Sequence, residues 1–315
     1  MMNLNSLNNK IVGIMYHYVR ELKTSKYKKI HFLNLKEFKK QITYFKKKFN
    51  MIGIEDIVHL NKDKKIYKKP FAFLSFDDGY IDHYNNVFPI LVENKLEGLF
   101  YPPTKIFDKN VVLDVNKIQF VLSLTTNKKK IFNEIDNICK KKYNLNLKKI
   151  NKNKFNFNNR YDNKELILIK NLLQFILPKK IRNEINDYLF KKYVTNDIEN
   201  FRKKLYLDKN HIREMLSNGM HFGSHSSNHE WMQYLDYTNQ EKEIIKSIKF
   251  LQKNFNLNKN YYSFCYPYGS FNNDTITLLK KHNFKLGLTT RPMPFEKNKK
   301  KDLLKFPRFD TNDFS

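Results

Sequence analysis

The run Phe71-Ala-Phe-Leu-Ser-Phe76 is apolar at every position but one, follows Pro70, and stops abruptly at Asp77-Asp78-Gly79. A segment with no polar face cannot lie at a surface, so it predicts a fully buried strand of a parallel sheet. The two carboxylates then stand where that strand ends. A second strand is expected at Ile11-Val-Gly-Ile-Met-Tyr16, ending at His17. Between the two, residues 34–49 place Leu35, Phe38, Ile42 and Phe45 at helical spacing with lysines among the other positions, which is the pattern of a surface helix packed on a core.

Further along, 84–94 reads as a helix and Gly98-Leu-Phe-Tyr101 as a strand closed by Pro102-Pro103. Strand, helix, strand in succession argues for an α/β sheet with right-handed crossovers. The alternation breaks between about 110 and 206, where the chain turns Lys- and Asn-rich, with helices expected over 165–176 and 180–193 and a loop at 151–159. This is read as a helical insertion that caps the site or mediates assembly. The alternation resumes at Asp208, a suitable N-cap for a helix running through Met215 and stopping near Gly219. Strands are then expected at 220–224, 262–266 and 286–289, with a last one around 303–309 and a solvated loop at 297–301. There is no internal repeat. The chain is therefore expected to be one domain, 1–315, with a helical insertion at about 110–206.

Composition bounds the partners. Hydrophobic residues make up 41% of the chain and aromatics 15%, enough to bury a core and to set disorder aside. Lys and Arg number 59 against 31 acidic residues, a formal charge of +28. Such a field attracts phosphate, acidic glycans and anionic lipid headgroups. Yet Lys, Asn, Ile, Phe and Tyr are abundant together, as when base composition drives residue choice, and lysine is spread along the whole chain. No concentrated basic motif marks a specific nucleic-acid site. Cys139 and Cys265 are the only cysteines, which suits a reducing compartment. The first apolar run is too short for a signal-peptide core, and no stretch approaches a membrane span. The expectation is a cytoplasmic protein, with peripheral contact to an anionic membrane face kept open.

Three polar clusters each close or follow an expected strand: Ser75-Phe-Asp77-Asp78-Gly79-Tyr80, Gly223-Ser-His225-Ser-Ser-Asn-His229, and Tyr266-Pro267-Tyr268-Gly269. In barrels of alternating strands and helices the residues beyond the strand C-termini form the active face, so the three would converge on one mouth. If the chain turns into a helix after its strand, His225 and His229 point the same way. With one carboxylate they make a two-His, one-carboxylate site for a divalent ion that leaves positions for water. Adjacent aspartates on a strand end diverge, so one can face the ion while the other takes a proton from the attacking water. Asp-Asp-Gly is also a common turn, and a lone His-x-x-x-His is often two exposed helix residues. The combination is what points to amide hydrolysis.

On these residues the chain resembles the polysaccharide deacetylase family with the NodB homology domain (carbohydrate esterase family 4-like). Ser75-Phe-Asp77-Asp78-Gly79 resembles the family's first motif, and His225-Ser-Ser-Asn-His229 matches its His-Ser/Thr-x-x-His motif. Tyr16-His17, Pro89 and Ile212-Arg-Glu-Met-Leu-Ser-Asn-Gly219 are similar to the branch that modifies surface polysaccharides. The likeness spans about 11–107 and 207–310. It implies a distorted (β/α) barrel and hydrolysis of an N-acyl group, chiefly N-acetyl, from an amino sugar. It also implies a divalent metal, zinc first with cobalt, manganese or nickel as alternatives. Asp77 becomes the base, Asp78, His225 and His229 the metal ligands, and the Tyr268 backbone N–H the oxyanion donor, although Tyr268 also reads as aromatic filler. An N-acetylated sugar or glycan is the implied partner, and without an export signal the expectation is a cytoplasmic intermediate such as a nucleotide-linked, lipid-linked or growing surface glycan.

The sequence departs from the family in two places. Cys265 occupies the position where the third motif often carries arginine, and Arg308 in Phe306-Pro307-Arg308 is expected to supply the missing charge to the base. The late Leu-x-x-His motif that supplies a general acid is not evident, since His282 sits in a Lys-rich expected helix. His17 is the better candidate for the acid or for a substrate contact, beside its reading as a buried histidine bonded to backbone. His221 is read as structural, and Trp231 either stacks on a sugar ring or packs. A noncatalytic metal- or carbohydrate-binding member of the same fold is the alternative function, and a nucleic-acid binder, motivated by charge alone, the weakest.

Overall fold

The computed structural model describes residues 7, 9–21, 27, 29–60, 67–108, 110–125, 127–147, 164–297 and 302–314. The loop expected at 151–159 lies outside them, as do most of the polar start at 1–10 and of the loop at 297–301. The chain forms two compact units, one made of 1–24, 32–111 and 202–315 and the other of 25–31 and 112–201.

In the first unit seven parallel strands form a ring: β1 (Lys10–Tyr16), β2 (Phe71–Asp77), β3 (Gly98–Tyr101), β4 (His221–Phe222), β5 (Ser263–Cys265), β6 (Leu286–Leu288) and β7 (Arg308–Asp310). β1 pairs with β2 over six residues, from Ile11↔Phe71 to Tyr16↔Phe76. β3 follows β2, and β4 follows β3. From there the ladder thins to the single bridge Ser224↔Phe264 before the β5–β6 pair, and to Leu288↔Phe306 after it. β7 then pairs with β1 through Gly13↔Arg308 and closes the circle. A closed parallel ring joined at two seams by one bridge each is a distorted (β/α) barrel, the fold expected from the resemblance.

The two-residue period of a strand sorts the core into layers. Val12, Ile14, Tyr16, Leu74, Phe76, Phe100 and Phe222 pack outward against helices, while Ile11, Phe71, Phe73, Leu99, Leu286, Leu288 and Phe306 fill the inside. Each such side chain contributes roughly 1.5–3 kcal/mol when fully buried. The covering helices include α1 (Leu35–Lys48), α2 (Ile54–Leu60) and α3 (Phe88–Glu93). α1 illustrates the logic: Asn34 caps it by accepting from the Lys36 N–H, Glu37 lies in its first turn, and Lys46, Lys47 and Lys48 lie in its last. Phe38, Ile42 and Phe45 are its buried stripe.

The helix expected over 84–94 begins instead as a π-helical turn, His83–Val87. Pro89 has no N–H to return to residue 85, and the Phe88 N–H reaches back to the His83 carbonyl. The strand expected over 303–309 is likewise split. A 3-10 turn, Leu303–Lys305, comes first, and Pro307, which cannot donate to a ladder, separates the Phe306 bridge from β7.

The second unit is helical: α4 (Asp114–Leu124), α5 (Lys128–Tyr143), α6 (Lys164–Asn171), α7 (Lys179–Tyr193) and the start of α8 (Ile198–Leu205). Its core includes edge-on ring contacts of Tyr27 with Phe120, and of Phe201 with both Phe120 and Phe190. In the first unit α9 (Lys209–Ser217), α10 (Tyr237–Phe255) and α11 (Asn273–Lys281) complete the set. Asp208 caps α9 as expected and forms a capping box with His211.

Candidate active site

The alternation of β2 places Ser75 and Asp77 on the inner face of the ring, where they meet Arg308 of β7. Arg308 Nη1 and Nη2 lie 2.8 Å from Asp77 Oδ1 and Oδ2, a two-pronged pair. Nη1 also donates to Ser75 Oγ at 3.0 Å, Nη2 to Cys265 Sγ at 3.1 Å, and Nε to the Thr289 carbonyl at 3.0 Å. All five guanidinium N–H groups are therefore engaged, which is what allows a side chain with no exposed surface to stay charged. Gly13 makes the room. A Cβ there would lie 2.9 Å from Arg308 Cγ and 2.8 Å from the Phe73 ring. Burial pushes the Asp77 carboxyl up, but the Arg308 guanidinium outweighs it and holds the group down at about 2.

Asp78 follows in the left-handed region at φ 71°, and Gly79 continues at φ 68°. This double turn sends the second carboxylate away from Arg308. Asp78 Oδ2 accepts a 2.6 Å hydrogen bond from the buried Tyr80 hydroxyl. Oδ1 faces His225 Nε2 at 3.4 Å and His229 Nε2 at 3.1 Å. Burial raises the Asp78 carboxyl, and the two imidazoles more than reverse it, leaving the group well below the usual carboxylate range.

The histidines do not share a helix. Residues 225–229 form an irregular loop in which Ser226 (φ 58°) and His229 (φ 57°) are left-handed, and Ser226 Oγ accepts from the His229 N–H at 3.0 Å. The expectation that a helical turn aligns them is corrected: two left-handed residues bring the rings together at a centroid distance of 4.8 Å. His225 Nδ1 lies 2.7 Å from the Cys265 carbonyl, which can only accept, so Nδ1 carries a proton and Nε2 is the ring nitrogen turned toward Asp78.

This triangle fits a divalent cation. Ligands 2.0–2.1 Å from a tetrahedral zinc are roughly 3.3 Å apart, the spacing found between Asp78 Oδ1 and both imidazoles. Asp78 Oδ1 is buried and accepts no hydrogen bond of good geometry, as expected of an atom meant for another partner. Cys265 also lies in a buried cluster with Asp77 and His225, but a cation there would meet the Arg308 guanidinium.

The remaining candidates separate. His17 is half-buried at the end of β1, close enough to Asp77, Asp78 and His229 to interact with them electrostatically. Its carbonyl receives the His83 Nε2 proton at 2.8 Å, and burial takes His83 down to about 4. Tyr268 is left-handed at φ 59°, ψ 11°, with its ring 4.7 Å from that of His229. Trp231 stacks on Tyr268 at 4.4 Å. His221 is half-buried with Nε2 2.7 Å from Ser263 Oγ, and His282 pairs with Glu241. Ser75 and Gly13 were not legible as site residues. Their signal was the strand period, which sets Ser75 beside Asp77, and a glycine inside a run of bulky residues.

The polysaccharide deacetylase family model matches residues 174–287, which hold His225, His229 and Tyr268 but not Asp77 or Asp78. Solved structures are similar over nearly the whole chain. The Streptococcus pyogenes deacetylase PplD, in complex with acetate, has a TM-score of 0.59 at 17% identity, covering 96% of this chain and 92% of that one. IcaB from Ammonifex degensii has a TM-score of 0.57 at 14% identity, with 96% and 92% covered. A de-N-acetylase from Aggregatibacter actinomycetemcomitans has a TM-score of 0.56 at 15% identity, with 95% and 94% covered. No protein with a curated description matches the sequence significantly. The chain thus resembles the polysaccharide deacetylases in sequence over residues 174–287 and in fold over nearly all its length.

Proposed function

We propose that the protein hydrolyses the N-acetyl group of an amino sugar in a surface polysaccharide or its precursor, with a divalent cation held by Asp78, His225 and His229. The observation that carries this reading is the pair of neighbouring carboxylates given opposite surroundings, one clamped by a guanidinium and the other turned to two imidazoles. Zinc suits the donor set best, with cobalt, manganese and nickel as alternatives. When bound, the cation acidifies water and polarises the amide carbonyl.

The chain's own groups supply the rest. A carboxylate held down at about 2 is a poor base for ordinary water and suits only an acidified one, so Asp77 and the cation site are matched partners. Arg308 fixes the Asp77 plane while each oxygen keeps a lone pair for the incoming proton. The left-handed Tyr268 backbone is assigned the N–H that steadies the developing oxyanion. His17 is assigned the proton for the departing amine, and acetate leaves. The reading takes the chain as one catalytic domain interrupted by a helical insertion, acting in the cytoplasm on a glycan whose carrier brings negative charge to a chain of formal charge +28. The noncatalytic alternative rests on the arginine missing at 265, and the Arg308–Asp77 pair supports the catalytic reading against it.

The test joins metal analysis of the purified protein to an acetate-release assay on N-acetylhexosamine oligomers. Activity should be lost to a chelator and restored by zinc, and Asp77→Asn should lower kcat by about 10²–10⁴-fold. Metal binding without acetate release from any N-acetylated sugar would select the noncatalytic reading instead.

A further inference from the structure

Glu243 is an acid on the core face of α10, in line with Gln240, Ile244, Ser247, Ile248 and Leu251. Its side chain is buried and aims at the loop between the two histidines. Oε2 accepts the backbone N–H of Ser227 at 3.1 Å and that of Asn228 at 2.7 Å, and Oε1 accepts from Asn228 Nδ2. One helical turn on, Ser247 Oγ shares a 2.6 Å hydrogen bond with Ser224 Oγ, the residue just before His225. α10 thus holds the loop just before His225 and again between the two histidines.

We propose that Glu243 is a positioning residue for the cation site. Its carboxylate gathers the 227 and 228 N–H groups and so holds 226–229 in the one loop shape that turns His229 toward Asp78. The physical case is that this shape is costly. Ser226 and His229 both sit at positive φ, a backbone region that side chains disfavour, and the intervening N–H groups point inward with no strand or helix to receive them. A carboxylate answers both needs, because charge-assisted hydrogen bonds are roughly twice as strong as neutral ones. Glu243 is not one of the three ligands, and both its oxygens are taken up by residues 227 and 228. It acts only through the loop.

This inference rests on the cation reading above, and the test separates the two. Zinc affinity is measured by competition with a chromogenic chelator, alongside the visible bands of the Co²⁺-loaded protein, for wild type, Glu243→Gln, Glu243→Ala and Asn228→Asp. Glutamine can still accept both backbone N–H groups with one oxygen if the Asn228 amide turns over, so Glu243→Gln should stay within a few-fold of wild type. Glu243→Ala should bind zinc 10–100-fold more weakly, the usual loss for an outer partner of a metal ligand, and its Co²⁺ bands should shift. Asn228→Asp sets carboxylate against carboxylate without altering α10, and should weaken binding in the same range. It decides the matter if Glu243→Ala does not fold. Wild-type zinc affinity and Co²⁺ bands in the alanine or aspartate variant, even with a lowered Tm, would overturn the proposal. A wild-type protein that binds neither ion would overturn the cation reading itself, and this inference with it.

Discussion

At the scale of single residues the site depends on keeping two adjacent carboxylates in different electrostatic states. Asp77 shows how narrowly this is done, since burial and the guanidinium pull its ionisation in opposite directions. With its folded value near 2 and an ordinary value of 3.8, the wild-type group contributes stability that is present above about pH 4 and lost as pH falls through 2. Arg308→Ala leaves the desolvation and removes its counterweight, so the folded value should rise above the ordinary one. Stability should then fall with rising pH, and at pH 7 the variant should be about 3–5 kcal/mol less stable than wild type. Urea unfolding between pH 4 and 8 measures this; parallel pH profiles for the two proteins would refute it. Lysine is no substitute, because one ammonium cannot occupy the five acceptor positions that Arg308 fills.

At the scale of elements, short pieces of structure are tied by acidic side chains supplied from elsewhere. α2 is seven residues long, and the Ile54 N–H at its start is received by Glu97 Oε1 at 3.2 Å, from just ahead of β3. Burial pushes the Glu97 carboxyl up to about 7, the Ile54 N–H works against this, and Asp56 and Glu55 add to the rise. A raised folded value means stability that is full below about pH 4.5 and lost as pH climbs through 7. Glu97→Gln keeps the acceptor without the charge, so it should match wild type near pH 4.5 and be more stable at pH 8 by about 1–2 kcal/mol, allowing for partial exposure. Equal thermal stability of the two proteins at pH 8 would count against this account. The loop at 225–229 belongs to the same scale: His-x-x-x-His spacing suggests a helical turn, and what aligns the rings is a pair of left-handed residues whose cost is met from α10.

At the scale of the whole barrel unit, the ring is uneven. β1 and β2 share six paired residues, whereas β5 and β6 are joined to their neighbours by one bridge on each side. Native-state amide exchange should therefore show 11–16 and 71–76 opening only with global unfolding, and 263–265 with 286–288 opening earlier. Uniform protection around the ring would contradict this. The unevenness also marks what could be read in advance. Continuous apolar runs such as 71–76, the N-cap at Asp208 and the polar clusters at strand ends are local features, because burial on both faces, capping and strand termination are decided by residues within a few positions of one another. The split at Pro307 and the π-helical start of the 84–94 helix each had a local signal, a proline inside the expected element, whereas the role of Glu243 had none, since it depends on a loop distant in the chain. Amino-acid order alone determined the strands, most of their helices and the identity of the acids and imidazoles. Only closure of the barrel decided that Arg308, 231 positions from Asp77, reaches it across β1, over a glycine with no side chain to block it. A long-range ion pair of this kind is set by which strands become neighbours, and neighbours in a closed sheet are chosen by the packing of the whole.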